Sequence, residues 1–206
     1  MTSAVAHDPR QPAPDEVPGS ARHRRHTARW VAVSVLVVAA GLVAVLATRP
    51  QAASQASSAL VGKPAPGIDA TPKTAVETVS GSAFSMSDLL GHWVVVNFFA
   101  SWCEPCQEEA PQLVSFSHEH TRPGSPELLG IAYDDSAANA RAFMRSTGAN
   151  WTAVMDSGDL KIAYGVTGPP ETFVVAPDGL VLAHYIGPVT AAALNQVIAD
   201  GEASGY

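Results

Sequence analysis

The chain has 206 residues, 47% of them hydrophobic, with two cysteines and a formal net charge of −7, which is room for one ordinary domain with appendages. The charge is uneven: residues 1–29 carry five arginines against three acidic residues, whereas from Gly62 onward six basic residues stand against sixteen acidic ones. A domain that acidic is a poor match for sequence-independent nucleic-acid binding, which sets basic residues against phosphate.

Residues 1–29 are rich in Pro, Arg and His and poor in apolar side chains, and read as a disordered cytosolic tail. Residues 30–47, from Trp30 to Ala47, hold no charge, and at about 1.5 Å per residue they span roughly 27 Å, enough to cross a bilayer. Arg22, Arg24, Arg25 and Arg29 precede the run and only Arg49 comes closely after it. That bias predicts a signal-anchor with the N-terminus in the cytoplasm and the C-terminal domain outside the cell membrane. A cleaved secretory signal is the competing reading, with small residues at Ala52, Ala53 and Ser54, although the run exceeds the roughly 7–15 residues of a signal core. Either way the C-terminal domain is exported. No cysteine lies near the end of the run to carry a lipoprotein anchor. Residues 48–60 read as a small-residue linker and 61–206 as the extracytoplasmic domain.

Within the domain, residues 74–79 alternate as a short strand, Ser80-Gly81-Ser82 turns, and residues 83–86 return. Residues 87–91 suggest a helical turn closed by glycine. Residues 94–100 are a continuous run of β-branched and aromatic residues, as in a central strand buried on both faces. A helix is predicted from Cys103 to about His120, with Pro111 as a kink. A strand over 128–133 leads to a helix capped by Asp134-Asp135-Ser136 and ended by Gly148. Next come a strand at 152–155, a short helix at 159–164 and a loop from Val166 to Glu171. Strands at 172–176 and 180–186 form a hairpin about Pro177-Asp178-Gly179, and a helix from Thr190 to about Glu202 closes the domain. Strands alternating with helices indicate an α/β sandwich around one sheet.

The only cysteines, Cys103 and Cys106, stand two residues apart where the central strand runs into the long helix. A helix start offers unpaired backbone N–H groups that stabilise a thiolate, which is the nucleophile of thiol–disulfide exchange. In an exported domain a structural disulfide is the alternative, but so small a loop restrains little of the unfolded chain.

Residues 96–111, Val-Asn-Phe-Phe-Ala-Ser-Trp-Cys-Glu-Pro-Cys-Gln-Glu-Glu-Ala-Pro, resemble the active-site segment of membrane-tethered thioredoxin-like proteins of the TlpA and ResA type and of the CcmG (DsbE) type of cytochrome c maturation. Residues 164–175, Tyr-Gly-Val-Thr-Gly-Pro-Pro-Glu-Thr-Phe-Val-Val, resemble the loop and strand that carry a cis-proline in the CcmG type. The resemblance covers about residues 60–202 and implies a thioredoxin-like sandwich. It makes Cys103 the exposed attacking thiol beside Trp102, and Cys106 the buried thiol that resolves the mixed disulfide. It makes Pro170 the cis-proline that offers a strand-like edge to substrate. Pro169 departs from the smaller residue usual there and has no N–H to donate.

Glu109 lies three residues after Cys106, one turn along the helix, and the resemblance places such a glutamate near the buried thiol. Ordinary thioredoxins have a buried aspartate where this chain has Asn97, so the resemblance implies that the proton acceptor has moved from strand to helix. A solvated surface charge is the alternative, and the preferred one for Glu108. Glu104 puts a negative charge beside Cys103 and Pro105 supplies no N–H, which points to a reducing pair. His118 and His120 read as surface histidines, and no metal or cofactor is expected. The expected activity is reduction of disulfides in exported proteins, with apocytochrome c as leading substrate and a transmembrane thiol donor as partner. A disulfide-donating oxidase and a copper-delivery module are the rivals.

Overall fold

The computed structural model describes residues 30–31, 33–42, 54–56, 58–68 and 75–206. The tail at 1–29, the end of the apolar run and the first half of the linker lie outside the described residues, as does Thr74 at the start of the first predicted strand. Residues 30–31 and 33–42 are helical, and the Ser34 hydroxyl donates back to the Trp30 carbonyl at 2.9 Å, which answers the polar group in an apolar run. Among the described residues no helix is long and apolar enough to cross a membrane.

The second compact unit, Gln51–Tyr206, is built on a six-stranded sheet. Its strands are β1 (Ser54–Gln55), β4 (Val94–Phe99), β5 (Glu127–Ala132), β6 (Thr152–Met155), β7 (Glu171–Val175) and β8 (Val181–Ile186), in the order β1-β8-β7-β4-β5-β6. A separate hairpin of β2 (Ala75–Glu77) and β3 (Ala83–Ser85) precedes a 3-10 turn at Met86–Leu89. The helices are α1 (Glu104–Glu119), α2 (Ala137–Thr147), α3 (Asp159–Tyr164) and α4 (Ala191–Ala203). This is the α/β sandwich that the alternation of elements implied, in the thioredoxin-like arrangement that the resemblance implied.

All six residues of β4 are buried, because both of its faces are covered. Val94, Val96 and Phe98 pack with Leu129, Ile131, Phe173 and Tyr164 on one face. Val95 lies on the other with Leu113 and Phe116 of α1 and Leu194 and Ile198 of α4. The period-2 alternation of a strand therefore sends Asn97, two residues beyond Val95, toward the α1 side. In the sheet Asn97 is paired across to Gly130 on β5 and Thr172 on β7.

Several element boundaries shift by a residue or two from expectation. β7 begins at Glu171, one residue early. Of the three residues expected to cap α2, it is Ser136 that does so, its hydroxyl accepting from Asn139 N at 3.2 Å. The linker is already part of the domain at residue 54: Ser54 and Gln55 pair with Ile186 and Tyr185, and Ala56 N donates to the His184 carbonyl at 2.9 Å. α1 extends over Glu104–Glu119 with Pro111 inside it, where the missing N–H leaves one turn without its backbone bond.

Gly201 shows how closely α4 approaches the sheet. A Cβ built there would lie 2.4 Å from the Trp93 ring and 2.9 Å from Leu182. Alanine gains about 1 kcal/mol in a helix over glycine, while overpacking costs about 1–3 kcal/mol. Gly201→Ala is therefore expected to be net destabilising by about 1 kcal/mol, read as a lower urea midpoint with unchanged slope.

Candidate active site

β4 delivers the chain to Cys103, which caps α1 in an extended conformation, and Pro105 occupies the first turn, where its missing N–H costs nothing. The Cys103 Sγ accepts a hydrogen bond from Cys106 N at 3.1 Å, the helix-start donor that a thiolate would use. Cys103 and Cys106 are joined as a disulfide, with Cα atoms 5.3 Å apart. The expected contrast between an exposed and a buried sulfur is corrected in this oxidised form: Cys103 is 4% exposed and Cys106 is 2%. What separates them is position. Cys103 sits at the cap, beside Trp102, which is 59% exposed, whereas Cys106 lies inside the first turn against Ala110.

The Pro169–Pro170 bond is cis, and the Pro169 carbonyl oxygen lies 3.4 Å from the Cys103 sulfur. The loop at 166–170 thus faces the cysteines, as the segment resemblance implied.

Glu109 is almost fully buried at 1% exposure. One carboxylate oxygen accepts from Asn97 Nδ2 at 2.9 Å and the other from Val189 N at 2.8 Å. The Asn97 amide also donates to Thr172 Oγ1 at 2.9 Å, so β4, β7, α1 and the turn before α4 meet at one carboxylate. Burial pushes the Glu109 carboxyl up to about 7, against the pull of the Val189 N–H and the Asn97 amide. Asn97 and Cys106 line one narrow cavity with Phe99, Phe143 and Met144. Glu108, by contrast, is exposed.

Several residues that matter to the geometry carried no signal by spacing. The Asp135 carboxylate accepts from Ser101 N at 2.7 Å and ties down the segment before Trp102. Trp102 Nε1 donates to the Asp134 carbonyl at 3.3 Å, and its ring meets the edge of Tyr133. Asp134 has φ +42, a left-handed conformation in which aspartate is one of the more tolerant side chains, and its carboxylate pairs with Lys161. Glu171, next to the cis-proline, is also fully buried and bonded to His184 at 2.7 Å. A charged residue opening an apolar strand directly after two prolines was the sequence signal for it.

The arrangement agrees with relatives of known chemistry. Residues 61–184 match the model of the AhpC/TSA family. The thiol-disulfide oxidoreductase ResA of Bacillus subtilis is 32% identical over 143 residues, covering 68% of this chain and 79% of that protein. The thiol:disulfide interchange protein HelX of Rhodobacter capsulatus is 35% identical over 136 residues, covering 65% and 72%. A crystal structure of a putative thiol:disulfide interchange protein DsbE from Chlorobium tepidum superposes with a TM-score of 0.56 at 29% identity, over 64% of this chain and 94% of that one. With a redox-active spacing of cysteines at a helix start and relatives of this kind, the chain belongs to the AhpC/TSA family as a thioredoxin-like thiol–disulfide oxidoreductase.

Proposed function

We propose that this oxidoreductase works as a reductant on the outer face of a cytoplasmic membrane, acting on disulfides of exported proteins, with apocytochrome c before haem attachment as the leading substrate. The observation that carries the direction is the acidic surround of the cysteines. Glu104 stands in the first turn beside Cys103, and Glu109, buried on the same helix, adds negative charge once it ionises near pH 7. Negative charge near a thiolate disfavours it, and a pair whose reduced form is less stabilised gives up its electrons more readily. The substrate class rests on the resemblance of residues 96–111 and 164–175 to the CcmG type.

In the reaction the Cys103 thiolate attacks one sulfur of the substrate disulfide. A new S–S bond forms, the old one breaks, and one substrate sulfur leaves as a thiolate. Cys106 then attacks the Cys103 sulfur, closes the internal disulfide and releases the second substrate thiol. Its proton passes to Glu109. Two electrons have moved to the substrate, and a thiol donor of the membrane must restore them. The apolar run at 30–47 and the arginines before it support the anchoring. Pro169, Pro170 and Trp102 form the surface on which an extended substrate segment would lie.

The redox state of the cysteine pair in growing cells tests the direction, by acid quench and alkylation with a mass-adding reagent. A mostly reduced pair is the expected result. A mostly oxidised pair would overturn it in favour of disulfide donation.

A further inference from the structure

Residues 167–170 contain two prolines, so this stretch has only two backbone N–H groups, those of Thr167 and Gly168. Both end on one atom. Oε1 of Glu171 accepts from Thr167 N at 2.8 Å and from Gly168 N at 3.2 Å, and from the Thr167 hydroxyl at 3.0 Å. The other carboxylate oxygen lies 2.7 Å from His184 Nε2, a distance at which the Nε2–H tautomer of the ring donates to it. The His184 ring is stacked on Phe173 at 4.1 Å with an interplanar angle of 5°, which fixes its orientation. The Pro170 carbonyl accepts from Gly187 N at 3.0 Å, at the end of the same strand that carries His184. The loop facing Cys103 therefore has no N–H left to offer a substrate over these four residues. It is held from behind by a carboxylate on β7 that β8 in turn orients.

Both partners are buried, at 1% and 5% exposure. Water does not replace the carboxylate cheaply at such a site, because buried donors left unpaired carry their full desolvation cost. We propose that Glu171, oriented by His184, is a positioning residue for substrate: it holds the Pro169–Pro170 backbone at the distance from Cys103 at which an extended polypeptide can lie beside it. This rests on the proposed cysteine exchange activity. The role predicts a split between substrates. A polypeptide that lies along the loop depends on Glu171, whereas a small dithiol that attacks the disulfide without using the loop does not.

The test uses the full chain in mild detergent and two reactions: exchange with a cysteine-containing peptide disulfide under steady-state conditions, and reduction of Cys103–Cys106 by dithiothreitol, monitored by Trp102 fluorescence. In Glu171→Ala the KM for the peptide is expected to rise about tenfold, with kcat and the dithiothreitol rate within about twofold of the parent. Glu171→Gln retains an acceptor for the loop and can donate its amide to His184 Nε2 in the other tautomer, and is expected to restore the KM to within about twofold. Should Glu171→Ala fail to fold, Thr167→Val removes only the hydroxyl bond at an exposed position, and its KM is expected to rise about threefold. A peptide KM unchanged in Glu171→Ala, or in Thr167→Val where the alanine variant does not fold, overturns the proposal. So does a parallel loss of peptide and dithiothreitol reactivity, which would make the pair merely structural. If the unsubstituted chain exchanges with neither reagent, the cysteine reading itself fails, an outcome distinct from a normal parent with unaffected variants.

Discussion

Cys103→Ser is expected to reduce insulin-disulfide reduction to the background rate of the added thiol. Geometry singles this residue out. Only Cys103 lies at the cap, beside the exposed Trp102 and the Pro169 carbonyl at 3.4 Å, and only its sulfur accepts a helix-start N–H. Serine keeps the cap hydrogen bond, so the helix start is preserved, but a hydroxyl of high pKa neither attacks a disulfide nor closes one. Cys106→Ser should behave differently. Attack by Cys103 remains possible and release does not, so turnover stops while a covalent mixed disulfide accumulates. Mass spectrometry of the acid-quenched reaction reads both variants: an adduct with Cys106→Ser and none with Cys103→Ser. Retained turnover in Cys103→Ser would remove the proposed mechanism.

Glu109→Gln is expected to slow exchange by about 10- to 100-fold, at the lower end of what a positioned proton acceptor contributes. The rate of the parent should rise with pH through about 7, where the Glu109 carboxyl ionises and becomes able to take the Cys106 proton, and the variant should lack that rise. The same group predicts stability. Its folded pKa of about 7 stands above the ordinary 4.5, so between these values the native state holds a proton that the unfolded chain has released. Stability is then highest below pH 4.5 on this account and falls as pH rises through about 7, by a total of about 3 kcal/mol. The neutral glutamine avoids this loss, so urea midpoints measured at about pH 5 and about pH 8, either side of the carboxyl's titration, should differ less for Glu109→Gln than for the parent. A pH profile of exchange that glutamine leaves unchanged would exclude Glu109 from proton transfer.

The parts of the site that were legible in the sequence are those set by local chain geometry. Cys103, Cys106 and Pro105 are fixed by adjacency at a strand-to-helix junction, Glu109 by one helical turn, and the double proline by its own restricted backbone. The order of strands and helices was legible for the same reason, since each element is a short-range pattern. What was not legible are contacts between residues far apart in the chain. Asn97 marked only the place of a missing aspartate, and that its amide reaches Glu109 depends on β4 and α1 sharing a face. Asp135 read as a helix cap and instead holds Ser101, 34 residues away. Glu171 and His184 meet across a hairpin register that no composition reveals. Ser54 and Gln55 carry no strand signal of their own, and they join the sheet because β8 presents unpaired backbone to them.

That last pairing bears on how the domain survives its own clients. If the substrates are exported proteins, as proposed above, some arrive still unfolded, and such chains readily add themselves to an open sheet margin. Here β8 is already met by β1 along one margin, and at the other Thr78, just after β2, bridges to Val154 of β6 while Val79 N donates to the Ala153 carbonyl. Backbone pairing at both margins leaves an incoming strand fewer open groups there, where its addition could seed aggregation.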